Sequence, residues 1–416
     1  MREMKDSEVK WIGEIPVTWN VYRNKNAFVC SKDLVGGKSS ETQLLSLTTK
    51  GIKLKDINNA EGKLPESFDT YQYVKKDEMV MCLFDLDCSA VFSGLSPYDG
   101  MISPAYKVLT CTDRMEPKYA DYWFQYISHG RKFNHYAKNI RYTLSYEEFS
   151  ALPMLFPDRE EQIRISNYLD AKCSKIDEII EKQQAIIEKL KEYKLHLIQE
   201  TVTKGLDRNA ELRESGEIWI GKVPKHWDVL KLKSHTRMIT PMRDKPEDLS
   251  GDIPWVRIED YNGKYIDSSR EGFGVSEQTV KEMNLKVYPV GSILCTSSCD
   301  LGKCAIVATP LVSNQRFINI VPDEDTSSDY LYYVMLSNAD RMNHLSTGTI
   351  QANLSRVAFE HLLIQFPPLE EQKEIALYLD HKVEVIDSTI MGKEKLVEKL
   401  REYKKSLIYE VVTGKK

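Results

Sequence analysis

Side chains that can hydrogen-bond to the edges of nucleic-acid bases stand close together at two places in the second half of the chain. Gln315 and Arg316 precede a strand-like segment, and Gln351 and Asn353 lie in a turn that begins at Gly348. Gln and Asn can form paired hydrogen bonds with adenine, and Arg can do so with guanine. The same amides can instead cap their own backbone, so a turn that only stabilises itself remains an alternative.

Further polar and basic residues in both halves are candidate contacts to phosphates or base edges. Ordinary solvated loops and helix surfaces explain such residues equally well. The candidates are Lys38, Ser39, Ser40, Lys50, Arg131, Lys132, Arg141 and Tyr142 in the first half, and Thr240, Arg243, Lys245, Ser297, Ser298, Asn314 and Thr349 in the second.

The sequence lacks the motifs of catalysis, cofactor binding and metal binding. Gly36-Gly37-Lys38-Ser39 is similar to the end of a phosphate-binding P-loop, but Lys32 occupies the position of the required first glycine. Cys295, Cys299 and Cys304 lack Cys-x-x-Cys spacing, and no His is nearby, so we expect buried thiols rather than a zinc site. We therefore predict that this chain is not an enzyme and holds no metal or cofactor.

Composition is typical of a large folded protein with separate charged surfaces. The 416 residues are 42% hydrophobic and 29% charged, which suits two domains and helical connectors. The net charge of −5 argues against general coating of DNA, although 57 Lys and Arg residues are enough for local basic faces. No apolar run approaches the length of a membrane span, and the polar start is unlike a signal peptide, so we predict a cytoplasmic protein without membrane contact.

The positions of these candidates depend on a frame that is written twice. Residues 11–21 and 219–229 are identical at six of eleven positions, and residues 156–177 and 366–387 at twelve of twenty-two. Between these islands, residues 25–150 and 235–355 have almost no mutual similarity. A period near 210 residues is too long for a solenoid, so each half should be a complete domain followed by a connector. Two alike frames therefore hold two inserts of unlike sequence.

The connectors have the pattern of long helices. From Arg159 to Thr203 there is no Gly or Pro, and apolar residues recur at alternating spacings of three and four. Such a seam, on a helix of about 35 residues and about 50 Å, must be covered by another surface. The other long helix is the favoured cover, in an antiparallel pair within the chain, although each helix could instead pack on its own domain. The seam residues are Leu169, Ile176, Ile180, Ile187, Leu190 and Leu197, and then Leu379, Ile386, Ile390, Val397, Leu400 and Leu407.

We therefore predict an α+β fold: two α/β domains separated by two long helices that form an intramolecular antiparallel coiled coil with approximate twofold symmetry. The predicted boundaries are 1–157 for the first domain, 158–205 for the first long helix, 206–365 for the second domain and 366–416 for the second long helix. The polar residues 206–216 are predicted to be a linker.

The paired motifs resemble the specificity subunit of type I restriction-modification systems. The resemblance rests on Trp-Ile-Gly-x-[Ile/Val]-Pro-x-x-Trp at 11–19 and 219–227, on Phe-Pro-x-x-Glu-Glu-Gln at 156–162 and 366–372, and on the paired long helices. It spans nearly the whole chain. No single motif is decisive, but their order and double occurrence are specific.

This resemblance implies a reader of DNA sequence without catalytic activity. Each insert would be a target-recognition domain that contacts one half of a bipartite, asymmetric sequence in double-stranded DNA, and the helices would fix the gap. Two modification subunits would dock on the frame and methylate adenine N6 from S-adenosylmethionine, and restriction subunits with motor activity would join them. S-adenosylmethionine, ATP and Mg²⁺ are therefore expected only in partner subunits. The alternative is a coiled-coil scaffold that holds two protein-binding domains and never contacts DNA.

Overall fold

A computed structural model of the chain describes residues 2–49, 51–56, 65, 67–86, 92–137, 142–241, 245–298, 301–346 and 353–416. The chain divides into two compact units. The first unit contains residues 1–184 and 394–416, and the second unit contains residues 185–393. Each unit therefore includes part of both long helices. The predicted domain boundaries, which keep each helix whole, stay a prediction.

Among its described residues, the first unit contains short strands, two short helices, the beginning of one long helix and the end of another. Its elements are β1 (Met4–Asp6), β2 (Glu14–Pro16), β3 (Asn20–Arg23), β4 (Phe28–Ser31), β5 (Leu45–Thr48), β6 (Gly51–Leu54), β7 (Gln72–Val74), β8 (Met79–Met81), β9 (Ser93–Leu95), β10 (Gly100–Ile102), β11 (Lys107–Cys111), α1 (Pro117–His129), α2 (Tyr146–Ala151), β12 (Pro153–Phe156) and the start of α3 (Arg159–Lys204).

The second unit continues from the end of α3. Its elements are β13 (Leu212–Glu214), β14 (Lys222–Pro224), β15 (Asp228–Lys231), β16 (Thr236–Ile239), β17 (Ile253–Val256), β18 (Tyr265–Ile266), β19 (Gly274–Val275), α4 (Glu277–Glu282), β20 (Ile293–Thr296), β21 (Cys304–Val307), β22 (Val312–Ser313), β23 (Phe317–Pro322), α5 (Ser328–Ser337), α6 (Ala339–Leu345), α7 (Arg356–Glu360), β24 (Leu363–Phe366) and the start of α8 (Leu369–Val412).

The predicted α+β architecture with two long helices is confirmed. The helix α3 has 46 residues and α8 has 44, whereas the predicted apolar seam spans about 35 residues of each. The seam continues toward the first turns of each helix, where Leu169 and Leu379 pack in the core of their own unit. The linker predicted at residues 206–216 is wrong in part: β13 lies within it and pairs antiparallel with β14.

The two inserts have the same sheet order although their sequences differ. The first unit orders its main sheet β4-β11-β8-β9, and the second orders its main sheet β16-β23-β20-β21-β18. Apart from the added strand β18, all neighbours in both sheets are antiparallel. Unlike sequences therefore produce like folds, because strand pairing requires buried apolar faces rather than particular residues.

Within the first unit, the start of α3 pairs with the end of α8. Ile176 and Ile180 of α3 are buried in one apolar cluster with Val397 and Leu407 of α8. Lys404 occupies a polar position within the seam, and its Nζ donates to Asp177 Oδ2 at 2.6 Å. Leu169 is buried within the same cluster, and the partly buried Leu400 packs against it.

The second unit contains the matching half of this arrangement. Ile187 of α3 is buried with Ile386 and Ile390 of α8, and the half-buried Leu190 and Leu197 pack against them. Lys194 Nζ donates to Asp387 Oδ1 at 2.6 Å. Leu379 lies in the core of the second unit, against which Leu197 also packs. Lys194 and Lys404, which interrupt the seam in the sequence, therefore form ion pairs between the helices.

The repeated Phe-Pro-x-x-Glu-Glu-Gln motif acts as a buried hydrogen-bonding unit. Trp19 Nε1 donates to Glu161 Oε2 at 2.9 Å, and Trp227 Nε1 donates to Glu371 Oε2 at 3.0 Å. The Gln162 amide donates to the Pro157 carbonyl at 2.9 Å and accepts from the Glu116 backbone N–H. The motif thus ties the first turn of each long helix to the neighbouring Trp and loop.

Gln372 repeats the role of Gln162 in the second unit. Its amide donates to the Pro367 carbonyl at 2.9 Å and accepts from the Ser327 backbone N–H at 2.8 Å. A glycine ends each long helix beside the same tryptophans. Gly414 has φ +70, and a Cβ there would lie 2.5 Å from Pro16. Only glycine allows both that backbone angle and that approach.

Apolar burial between the helices should dominate the stability of this frame. Replacing Ile386 by Ala removes a side chain that is 7% exposed and leaves a cavity beside Ile187 and Ile390. We expect the free energy of unfolding to fall by about 2–4 kcal/mol. Val385→Ala is the matched control, because Val385 is adjacent and 52% exposed. Chemical denaturation should show a change below about 0.5 kcal/mol for the control; equal losses would contradict seam packing.

Equivalent carboxylates of α3 and α8, Asp170 and Asp380, each bind a lysine of their own unit, and the lysine bound by Asp380 is the less exposed of the two. Lys264 Nζ lies 2.6 Å from Asp380 Oδ1 and 2.6 Å from Asp329 Oδ1, whereas Lys118 Nζ lies 2.6 Å from Asp170 Oδ2. Burial alone lowers the pKa of Lys264, but hydrogen bonds to both carboxylates raise it overall.

We expect Lys264→Ala to lower the free energy of unfolding by about 1–3 kcal/mol, since it leaves paired carboxylates without their cation. The Lys264 side chain is 15% exposed and that of Lys118 is 52% exposed. Lys118→Ala should therefore cost less than about 1 kcal/mol. Urea unfolding curves of both variants would test this, and a larger loss for Lys118→Ala would refute it.

Candidate nucleic-acid interface

A polar cleft opens at one end of the main sheet of the second unit. Its volume is about 620 Å³. Six of the residues predicted as DNA contacts lie there together, although they are distant in sequence. The lining residues are Thr240, Pro241, Ser297, Ser298, Gln315, Arg316, Phe317, Ile318, Asn353, Leu354, Ser355 and Arg356.

Strand ends and backbone hydrogen bonds hold the walls of the cleft. The Ser297 N–H, just after β20, donates to the Arg316 carbonyl at 2.8 Å, just before β23. The Leu354 N–H donates to the Ser297 carbonyl at 2.8 Å. Ser355 then caps α7, because its Oγ accepts from the Ala358 N–H at 3.2 Å. These bonds fix three separate segments against one another.

The outward side chains of the cleft are open to a ligand. Gln315, Arg316 and Asn353 are exposed, and within the described chain their side chains form no hydrogen bond or ion pair. Arg356, by contrast, pairs with Glu360 at 2.7 Å. The cleft thus presents one unpaired guanidinium and two amides, which are the groups that form paired hydrogen bonds with guanine and adenine.

Asn314 has a structural role at the edge of this cleft. Its Oδ1 accepts from the Arg316 N–H at 3.0 Å. Backbone capping, the alternative weighed for such amides, is therefore what Asn314 does. Lys245 is exposed, and its Nζ lies 5.8 Å from the centre of the Trp255 ring.

The candidates in the first unit lie on separate elements. Lys38, Ser39 and Ser40 are on a 3-10 helix, Gly36–Glu41, and Ser39 Oγ donates to Asp69 Oδ1 at 2.9 Å. Arg131 has φ 47 and precedes the 3-10 helix Lys132–His135. Tyr142 is half-buried against the core, and its carbonyl accepts from Leu86 N–H at 3.3 Å.

Five predicted contact residues lie outside the described residues: Lys50, Arg141, Arg243, Thr349 and Gln351. Sequence reasoning also missed Arg356, which lines the cleft. The polar candidates Thr240 and Asn353 indicated that a contact site could lie near this part of the chain. The folding of three distant segments onto one site, however, has no local sequence signature.

Of the three cysteines near the cleft, Cys295 and Cys304 are buried, and Cys299 lies outside the described residues. Cys295 and Cys304 face each other across β20 and β21. Burial raises the pKa of the Cys295 thiol well above its ordinary value. Among the described residues, no group of His, Cys, Asp and Glu is arranged to hold a metal ion. Within the same residues, no helix is long and apolar enough to cross a bilayer.

Comparison with known proteins relates the chain to one family. Residues 224–399 match the family described as "Type I restriction modification DNA specificity domain". The "Type I restriction enzyme MjaIX specificity subunit" of Methanocaldococcus jannaschii is 36% identical over 181 residues, which are 42% of each chain. The "Putative type I restriction enzyme MjaX specificity subunit" of the same organism is 22% identical over 97% of this chain and 95% of its own length.

One solved structure has the same fold along almost the whole chain. It is described as the "structural basis underlying complex assembly and conformational transition of the type I R-M system". The TM-score is 0.74 at 12% identity, and the match covers 96% of this chain and 99% of that chain. The domain match in one half, the relative aligned along the whole length and the shared fold agree: this chain is similar to the specificity subunits of type I restriction-modification systems.

Proposed function

We propose that this chain is the DNA-specificity subunit of a type I restriction-modification complex. It reads a bipartite, asymmetric sequence and positions two adenine-N6 methyltransferase subunits and the restriction subunits. The cleft with unpaired Arg316, Gln315 and Asn353 carries this proposal, because exposed side chains with unused paired hydrogen-bonding groups are suited to base edges in the major groove.

The two like-folded inserts support reading of two different half-sites. Since their sheets have the same order, both can present the same edge to DNA, while their unlike side chains select different bases. The chain itself contributes recognition and positioning, and the methyltransferase subunits supply S-adenosylmethionine chemistry and flip the target adenine. ATP and Mg²⁺ belong to the restriction subunits.

The direct test is to co-purify the chain with its methyltransferase partner and map adenine methylation in the DNA of cells that carry both. A single split sequence, methylated once in each half, is the expected result. Binding of that sequence and of scrambled DNA should then be compared at physiological salt. Equal affinity for both would refute the proposal and favour the scaffold that binds proteins only.

Loss of Arg316 should relax recognition at one position of one half-site. For Arg316→Ala we expect discrimination against the wrong base at that position to fall by about 1–3 kcal/mol, the range for a paired contact. Arg208→Ala is the matched control: it removes the same charge from an exposed position outside the cleft. Competition binding with every single-base variant of the target measures the base preferences of both protein variants. Identical profiles for the two variants would remove Arg316 from base reading.

A further inference from the structure

The two inserts can be aligned residue by residue through their shared hydrogen bonds, although their sequences cannot. Three backbone bonds recur at matching places around the main sheets. The pairs are Thr112 N to Ala27 O with Asp323 N to His235 O, Asn24 N to Leu152 O with Leu232 N to Leu362 O, and Leu144 N to Leu83 O with Leu354 N to Ser297 O.

Strand registers complete this alignment. Ser31, Val108 and Val80 face one another across the first sheet, as Ile239, Asn319 and Leu294 do across the second. Each cleft residue of the second unit therefore has a definite counterpart in the first unit. Thr240 corresponds to Lys32, Ser298 to Phe84, Gln315 to Pro104, Arg316 to Ala105, Phe317 to Tyr106, Ile318 to Lys107, Asn353 to Thr143 and Arg356 to Tyr146.

These counterparts have different chemistry. The rings of Phe84 and Tyr106 stack with centroids 6.0 Å apart and planes at 16°, and both residues are half-buried. Pro104 and Ala105, which replace Gln315 and Arg316, have no hydrogen-bonding side chain. We call Lys32, Phe84, Tyr106, Lys107 and Tyr146 the aromatic surface of the first unit.

Two lysines flank the stacked rings. Within the described chain, Lys32 and Lys107 form no salt bridge and no side-chain hydrogen bond. Burial raises the pKa of the Cys30 thiol, and the charges of both lysines oppose this rise. Hydrogen bonds from its own backbone and from the Ser145 side chain lower the pKa of Glu147 most, and the charges of Lys107 and Lys32 lower it further. Glu147 follows Tyr146 of this surface, and Asp33 takes the place that Pro241 has in the second unit. Their two negative charges offset the two lysines, so the net charge of the surface is too low for general phosphate binding and favours selective contacts.

We propose that the first unit reads its half-site through this aromatic surface, with Phe84 packing on the methyl group of a thymine and Lys32 donating to a neighbouring acceptor. The second unit reads instead by hydrogen bonds from its polar cleft. This inference rests on the proposed function. It places the contacts of the first unit at residues other than Lys38, Ser39 and Ser40, whose 3-10 helix follows β4 by several residues. Apolar side chains such as Phe contact the thymine methyl group in the major groove.

Deoxyuridine is the probe, because it differs from thymidine in DNA only by that methyl group. Each half-site of a sequence methylated on adenine contains an A·T pair, so a thymine is present to replace. In the complex with the methyltransferase subunit, one replacement in one half-site should weaken wild-type binding about fourfold, the value of one buried methyl group. Phe84→Ala should bind more weakly and lose this sensitivity to deoxyuridine.

Exposed lysines provide a matched pair of variants that leave the core intact. Lys32→Ala should reduce selectivity in the same half-site, whereas Lys38→Ala, with the same charge loss on an exposed residue of the same unit, should leave it unchanged. Wild-type binding that ignores every deoxyuridine, a Phe84→Ala variant that keeps the full penalty, or a Lys38→Ala effect equal to that of Lys32→Ala would each overturn the inference. If the wild-type complex did not prefer its own methylated sequence at all, the proposed function itself would fail.

Discussion

Burial of the apolar seam between α3 and α8 is the constraint on which the rest of the structure depends. A helix of more than forty residues with mostly polar surface gains little from its own hydrogen bonds, so its stability comes from the face it buries. Ile187 against Ile386 in the second unit, and Ile176 with Val397 in the first, provide this burial. Both ends of the pairing are then fixed by Trp19 with Glu161 and by Trp227 with Glu371.

The doubled frame separates what must stay constant from what must vary. Residues that tie the helices to the domains recur in both halves, including the buried amides Gln162 and Gln372. The two main sheets have the same strand order, but the side chains at their ends differ. Unpaired polar groups such as Arg316 are found at one sheet, and the stacked Phe84 and Tyr106 at the other. Under the proposed function, replacing these residues changes the target without disturbing the hydrogen bonds that hold them.

Features with a local physical cause could be predicted from the sequence. The extent of α3, its seam at Ile176 and Ile187, and the end of the helix at Gly205 follow from periodicity and from the need for glycine at a left-handed position. The repeated motif containing Glu161 is visible in the sequence, but the sequence does not show that Glu161 is buried and accepts a hydrogen bond from Trp19. That contact joins residues 142 apart in sequence, and spacing alone cannot indicate it.

Long-range pairing explains the remaining differences. The common sheet order of the two inserts depends on which strands meet, and short strands such as β8 and β20 do not encode their partners locally. For the same reason, Thr240, Arg316 and Asn353 could be predicted as separate candidates but not as one cluster. The aromatic surface was missed because Phe84 and Tyr106 read as ordinary core residues until their register is known.

Zero-length carbodiimide crosslinking followed by peptide mass spectrometry tests the helix pairing most directly. The reagent joins an amine only to a carboxylate that touches it, and no substitution is needed. Lys194 lies 2.6 Å from Asp387, and Lys404 lies 2.6 Å from Asp177. The account predicts both links within single chains. Recovery of the Lys118–Asp170 link as an internal control, without either link between the helices, would contradict it.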